Sequence, residues 1–314
     1  MSKPFRFTKP GIYTGLLCSS YYDDPCPTPS LTQSLAKELY EHSPRHAWAK
    51  HPRLNPRYEP DESTKFNIGN AAHWHLIGRG KDLHVVEADD WRTKSAKEER
   101  DRAIAAGKCA VLRWQFDLAG EMAEACLDQL NDRGLVNDWD PKKGDGEVVL
   151  TWRERDTWFR SLIDWLPHHR RTVWDYKTTA KSAAPNALDK RMADGDWPVQ
   201  AATHERGLNV LDKSNVGKRR HLFVCQECDF PYALTVSEIS EEDLTLGRMN
   251  LARAVEVWEA CMATGTHKEA WPMYDLEIQY PHYPGWEAQR RLNRELDYRE
   301  RRVEAPMLTD LSGG

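Results

Sequence analysis

The strongest constraint on this chain is a change of hydrophobic period near its middle. Before residue 131 the apolar residues recur at helical spacing, over 31–41, 66–77 and 114–130. From Glu147 the pattern becomes short apolar or alternating runs, Glu147–Trp152, Thr157–Trp165 and Arg171–Thr178, separated by charged turns. Helical spacing cannot hold a strand in place, so these runs predict an antiparallel β-meander. Helices are expected again at 198–208, 241–263 (capped by Ser240) and 288–302, and two more strands at 220–228 and 232–239, split by an Asp-Phe-Pro turn. The result is an α/β fold: a central mixed sheet with an antiparallel meander, flanked by helices. Ser30 is expected to cap the first helix. Residues 1–30 read as irregular, 31–302 as one domain and 303–314 as a disordered tail.

With 40% hydrophobic residues among 314, the chain can build a substantial core. No run approaches the roughly 18 apolar residues of a membrane helix, and residues 1–11 lack the apolar centre of a signal peptide, so a cytoplasmic location is expected. Seven scattered cysteines argue against a disulfide framework. Cys225 and Cys228 fall within a predicted strand, where positions three apart face opposite sides, and read as buried thiols rather than metal ligands. The net charge of −5 does not suggest a polyanionic partner. Basic residues nevertheless cluster at Arg45, Lys50, Arg53 and Arg57, at His168–Arg171, and at Lys218–His221, and affinity for nucleic acid depends on local charge.

The meander carries the chemistry. Asp175 and Lys177 share one strand face, and a tight hairpin near His169 and Arg170 would bring Asp164 opposite Asp175. Two adjacent carboxylates repel unless a cation lies between them, and Mg²⁺ (or Mn²⁺) takes oxygen ligands. Such a pair with an ammonium beside it suits phosphodiester hydrolysis. An Asp-x-Lys by itself usually marks a solvated strand. Here the acids end apolar strands, where charged groups are generally paired or functional.

From about Ser30 to Trp258, several motifs follow one another: Ser43-Pro44 after a short helix; Gly69-Asn70-Ala71-Ala72-His73; Glu147 with Leu150 and Trp152; the run from Trp158 through Arg160 and Asp164 to Leu166; Asp175-Tyr176-Lys177-Thr178-Thr179; Gln200 after Trp197-Pro198; and Pro231-Tyr232. In this order they resemble the RecE-type (exonuclease VIII-like) prophage exonucleases of the PD-(D/E)XK, restriction-endonuclease-like, nuclease superfamily. The resemblance implies a Mg²⁺-dependent exonuclease acting 5′ to 3′ on the ends of linear double-stranded DNA in a bacterial host. It also implies a ring-shaped homo-oligomer and a single-strand annealing protein as partner. It makes Asp164, Asp175 and the Tyr176 carbonyl metal ligands, with His73 and Glu147 near the metal, Lys177 catalytic, and Gln200 ordering the nucleophile or scissile strand. Arg160 is implied as a phosphate clamp, with a structural ion pair as its alternative. The family's tyrosine four residues after the glutamine is His204 here, on the same helix face as Gln200, so a DNA contact is expected of His204. His73 is preferred over His75 on spacing. The rival readings are a single-strand or helicase-associated nuclease and an inactive DNA-end-binding protein. No Walker motif is present.

Overall fold

A computed structural model describes residues 5–16, 18–59, 67–274, 277–278 and 280–304. Residues 1–273 form one compact unit and 274–314 another. The first contains β1 (Gly11–Tyr13), α1 (Cys18–Tyr22), β2 (Ser30–Leu31), α2 (Gln33–Glu41), α3 (Pro44–Ala49), α4 (Asn67–Ile77), β3 (Leu83–Val86), α5 (Lys94–Ala105), β4 (Cys109–Leu112) and α6 (Arg113–Asp132). It continues with β5 (Gly144–Glu154), β6 (Thr157–Pro167), β7 (Thr172–Thr179), α7 (Pro185–Gly195), α8 (Trp197–Leu211), β8 (Arg220–Glu227), β9 (Leu234–Glu238) and α9 (Glu241–Thr264). The second unit contains α10 (Gly285–Glu304), which takes in the first residues of the expected tail; 305–314 lie outside the described residues.

The central sheet is mixed, with strand order β1-β5-β6-β7-β8-β9, and β2 adds parallel to β6. The meander β5-β6-β7 is antiparallel as its period predicts. β8 instead pairs parallel to β7, because the chain crosses over through α7 and α8 before returning. A second, two-stranded parallel sheet, β3-β4, closes around α5. Neither that small sheet nor α7 is announced by the hydrophobic period. Nor is the segment 1–30 wholly irregular where it is described: β1 pairs with β5, and Phe7, Tyr21 and Cys26 pack on Val149 and Trp158. Thr32, not Ser30, caps α2, accepting from the Leu35 N–H at 3.3 Å.

Two apolar layers sandwich the sheet. One joins α2, α8 and α9 to it through Trp152, Phe159, Phe223 and Trp258. Trp197, at the start of α8, stacks on Phe223 at 4.7 Å and so fixes where that helix begins. The other layer joins α4 and α6 to the opposite face through Trp165, Trp174 and Met122. Trp139 stacks on Trp165 at 5.7 Å and meets Trp174 edge-on at 5.5 Å. Such pairs add about 0.5–1.5 kcal/mol each beyond burial. They clamp β6 to β7 one residue away from both central aspartates. Among the described residues no helix is long and apolar enough to cross a membrane.

Candidate metal centre

Register brings three acids into one row. Gly146 faces Trp165 and Val148 faces Ile163, so Glu147 lies across from Asp164. Trp165 faces Trp174, and the same antiparallel register sets Asp164 across from Asp175. Glu147 reaches the row in an unusual backbone state: its φ is +53° in the middle of β5. For an L-residue the left-handed region costs roughly 1–2 kcal/mol.

The fourth group comes from α4. This helix lies unusually close to the sheet because two glycines permit it. A Cβ on Gly69 would fall 2.6 Å from Thr178 Oγ1, and one on Gly146 would fall 2.3 Å from Ile77 Cγ2. His73 is thereby lowered onto the row, its Nε2 3.3 Å from Glu147 Oε1 and 3.4 Å from Asp164 Oδ1. Gly80 (φ +141°) backs the ring, and a Cβ there would stand 3.1 Å from His73 Nδ1. His75, one helix face away, packs on Phe116 at 4.4 Å and takes no part.

Among the described residues, His73, Glu147 and Asp164 each offer a ligand atom within 4.8 Å of the others. One imidazole nitrogen and two carboxylate oxygens form a donor set suited to a divalent cation, and the nitrogen favours Mn²⁺ over strictly oxygen-seeking ions. The electrostatics point the same way. Burial opposes charge on His73, but Asp164 above all, then Glu147 and Asp175, lift its pKa to about 9. Burial would also raise Asp164, yet His73, Lys177 and the Tyr176 amide hold it at about 2. Asp175 is pushed up to about 6 by burial and by the charge of Asp164, despite Lys177. A protonated His73 thus balances a site that is rich in negative charge.

Asp175 faces different partners. One oxygen lies 2.5 Å from Lys177 Nζ, and the other accepts from Gln200 Nε2. Burial disfavours the Lys177 ammonium, but Asp175 and Asp164 outweigh it and raise the pKa, so the lysine is a charged donor and not a base. Tyr176 donates its main-chain N–H to Asp164 Oδ2 at 2.9 Å. In an extended strand a residue's N–H and C=O point to the same side, so its carbonyl is directed toward β6 as well. Its phenol lies on the other face and bonds Gln226 Oε1 at 2.5 Å.

Two expectations fail on placement. Arg160, 4% exposed, pairs with fully buried Asp24 at 2.9 Å and donates to Ser30 Oγ at 2.6 Å. The ion pair, not a phosphate clamp, describes it. His204 is 1% exposed, and burial takes its pKa down to about 4, leaving a neutral ring behind the aspartates and no surface for DNA. The basic clusters are also largely engaged within the fold. Lys50 pairs with Glu38, Arg53 bonds the Cys26 carbonyl, His168 faces Asp145, Arg219 holds Asp212, and Arg220 holds Glu238. Cys225 is buried in β8, and among the described residues no cysteine joins a metal-ligating group. Of the glycines that admit and back His73, Gly69 stands in the motif that carries the histidine, whereas Gly146 and Gly80 belong to no motif. Gly78-Arg79-Gly80 directly after a helix was the available signal.

No family model and no curated protein matches the sequence. Among solved structures the chain is similar to a crystal structure from Eubacterium rectale of a protein provisionally described as an exonuclease. Identity is 13% and the TM-score 0.49, with 81% of this chain and 91% of that one covered.

Proposed function

We propose that the chain is a divalent-metal-dependent deoxyribonuclease of the PD-(D/E)XK group, an exonuclease of the RecE kind that degrades linear double-stranded DNA from its ends. The observation that carries this is the convergence of His73, Glu147 and Asp164 within 4.8 Å, beside an Asp175–Lys177 pair. A metal held by the first three, with Asp175 and the Tyr176 carbonyl completing its surroundings, would polarise the scissile phosphate and acidify bound water.

The chain's own groups supply the rest. Lys177, kept charged and aimed by Asp175, presents donors to a phosphate oxygen as negative charge builds on it. Gln200 fixes the other oxygen of Asp175 and so holds the pair rigid. His204 stays neutral and packs behind them. Cleavage from 5′ to 3′, ring assembly and partnership with an annealing protein belong to this proposal through the sequence resemblance alone.

The test compares end-labelled linear duplex with closed circular duplex, in Mg²⁺, in Mn²⁺ and in EDTA. Nucleotides should be released from the linear form only, and only with metal. Absence of metal-dependent release at any enzyme level overturns the nuclease reading, and equal attack on circles overturns the exonuclease reading.

A further inference from the structure

The hairpin from β8 to β9 carries Phe230, which at 85% exposure is the most exposed large apolar side chain among the described residues. Single exposed apolar residues are ordinary; the setting of this one is not. Its turn is closed by the Tyr232 N–H bonding the Asp229 carbonyl at 2.8 Å. Tyr232 is buried, donates its hydroxyl to Glu121 Oε2 at 2.8 Å, and accepts at its carbonyl from Gln129 at 2.9 Å and Gln226 at 3.2 Å. The Phe230 ring meets the Tyr232 ring edge-on at 5.9 Å. A turn tied to α6 and β8 in this way holds an aromatic ring out in water at a fixed place.

That place is the end of the sheet where β7 finishes. Lys177 is paired with Cys225 and Thr179 with Glu227, and the Cys228 N–H bonds the Thr179 carbonyl at 2.8 Å. Five residue steps lead from Cys225 to Phe230 at about 3.3 Å each, and Cys225 lies one strand spacing of about 4.8 Å from Lys177, so Phe230 lies within roughly 21 Å of the Lys177 position. The loop after β7 runs alongside, joined to β8 by the Ala183 N–H on Glu227 Oε1 at 2.7 Å. It carries Lys181, which is exposed and in no ion pair among the described residues. An open aromatic face with an exposed cation on the adjoining loop is the pairing that single-stranded nucleic acid uses, bases stacking on the ring while phosphates meet the charge.

We propose that Phe230, assisted by Lys181, is a stacking platform for a base of the substrate strand no more than about six nucleotides from the scissile phosphate, at roughly 3.4 Å per nucleotide. This rests on the nuclease reading above and assigns where the strand leaves the site.

The experiment measures binding of the full chain, in EDTA, to a duplex with a short single-stranded overhang, with 2-aminopurine placed in turn at each of about six terminal positions within that reach. One position should show quenching on binding. Phe230→Ala should abolish that quenching and weaken binding roughly five- to a hundredfold, while Phe230→Trp restores both. Lys181→Ala should weaken binding with a smaller salt dependence and leave the quenched position unchanged. If Phe230→Ala binds like the parent, or no position is quenched, the platform is wrong while metal-dependent cleavage by the parent keeps the nuclease reading intact. If the variant instead changes sedimentation without changing DNA binding, Phe230 serves self-association and the proposal falls. If the parent neither binds nor cleaves DNA, both readings fall together.

Discussion

Asp164 and Tyr176 are joined by a side-chain-to-backbone bond where a strand ladder would otherwise run: Asp164 Oδ2 accepts the Tyr176 N–H at 2.9 Å. Its other oxygen faces His73 at 3.4 Å. One carboxylate therefore both closes β6 on β7 and offers an atom that could hold a cation.

The two roles separate by substitution. Asp164→Asn keeps an acceptor for the Tyr176 N–H and should fold with little change in melting temperature. It loses the charge, so Mn²⁺ affinity and cleavage should each fall at least about a hundredfold, on the scale of losing a ligand's electrostatic contribution. Asp164→Ala also leaves the N–H without its partner and should cost a further ~1–3 kcal/mol in urea unfolding. Equal stability of the two variants would show that the ladder bond contributes nothing.

Glu147 sets local backbone against site chemistry. At φ +53° glycine fits without strain and alanine does not. Glu147→Gly should melt higher than Glu147→Ala by roughly 2–4 °C, corresponding to about 1 kcal/mol in a domain of this size. Both should lose Mn²⁺ binding alike, as calorimetry can read. A glycine variant no more stable than the alanine one would mean that the left-handed residue carries no strain.

Arg160 and Asp24 test whether the first basic candidate serves DNA or the fold. Removing one member of a buried pair typically costs about 3–5 kcal/mol, so Arg160→Ala should lose that much in denaturant unfolding. The surviving folded fraction should still cleave DNA with the parent's salt dependence. Burial opposes the Asp24 charge, but the hydrogen bond from His51 and the charge of Arg160 bring its pKa from 3.8 to about 2. Its contribution, about 2 kcal/mol, is present above pH 3.8 and is lost as pH falls toward about 2. A folded Arg160→Ala protein with a flattened salt dependence of binding would restore the phosphate role.

How much of this was legible beforehand differs from residue to residue. Asp164 opposite Asp175 was, because a period-two pattern fixes which side chains share a face and a hairpin register follows from it, whereas Glu147, at φ +53° in the strand, was implied by the family resemblance alone. His73 was legible only through the resemblance that its motif carries, since helical spacing alone allows a core histidine there. What failed were properties set by distant partners. Arg160 is neutralised by a residue 136 positions earlier, and nothing near it in sequence announces that. His204 lies on a helix with polar neighbours, and only tertiary packing buries it. The β3-β4 sheet was not legible because runs as short as Leu83–Val86 and Cys109–Leu112, beside charged helices, satisfy either period. α7 was not, because Pro185-Asn186 reads as a turn.

Histidine protonation gives stability two limbs in pH. Burial depresses His204 to about 4 and His221 to about 3, so the unfolded chain, with histidines near 6.5, binds the extra protons first. Stability should therefore decline as pH falls below 6.5, by up to about 2 kcal/mol per histidine at pH 5, at ~1.4 kcal/mol per unit. His73 acts oppositely. Raised to about 9, it contributes stability below pH 6.5 that is lost as pH climbs through about 9. Thermal melts in EDTA from pH 4.5 to 9.5 should show both declines. His221→Leu should flatten the acid limb and His73→Gln the alkaline one; unchanged limbs in these variants would place the protons elsewhere.

Lys177 separates chemistry from assembly. Its ammonium is 2.5 Å from Asp175, and it stays charged because Asp175 and Asp164 outweigh the cost of burying it. It is therefore a charged donor near neutrality, and no activity should appear or vanish through its deprotonation there. Lys177→Met keeps the length of the stem and removes the donor. Cleavage of end-labelled duplex should fall at least about a hundredfold. Mn²⁺ affinity should hold or rise, since a cation competing for the same acids is gone. Lys177→Arg should not rescue, because a planar fork cannot replace a point donor held between two strands. A methionine variant that cleaves like the parent would remove Lys177 from the chemistry and leave the three-ligand group to act without it.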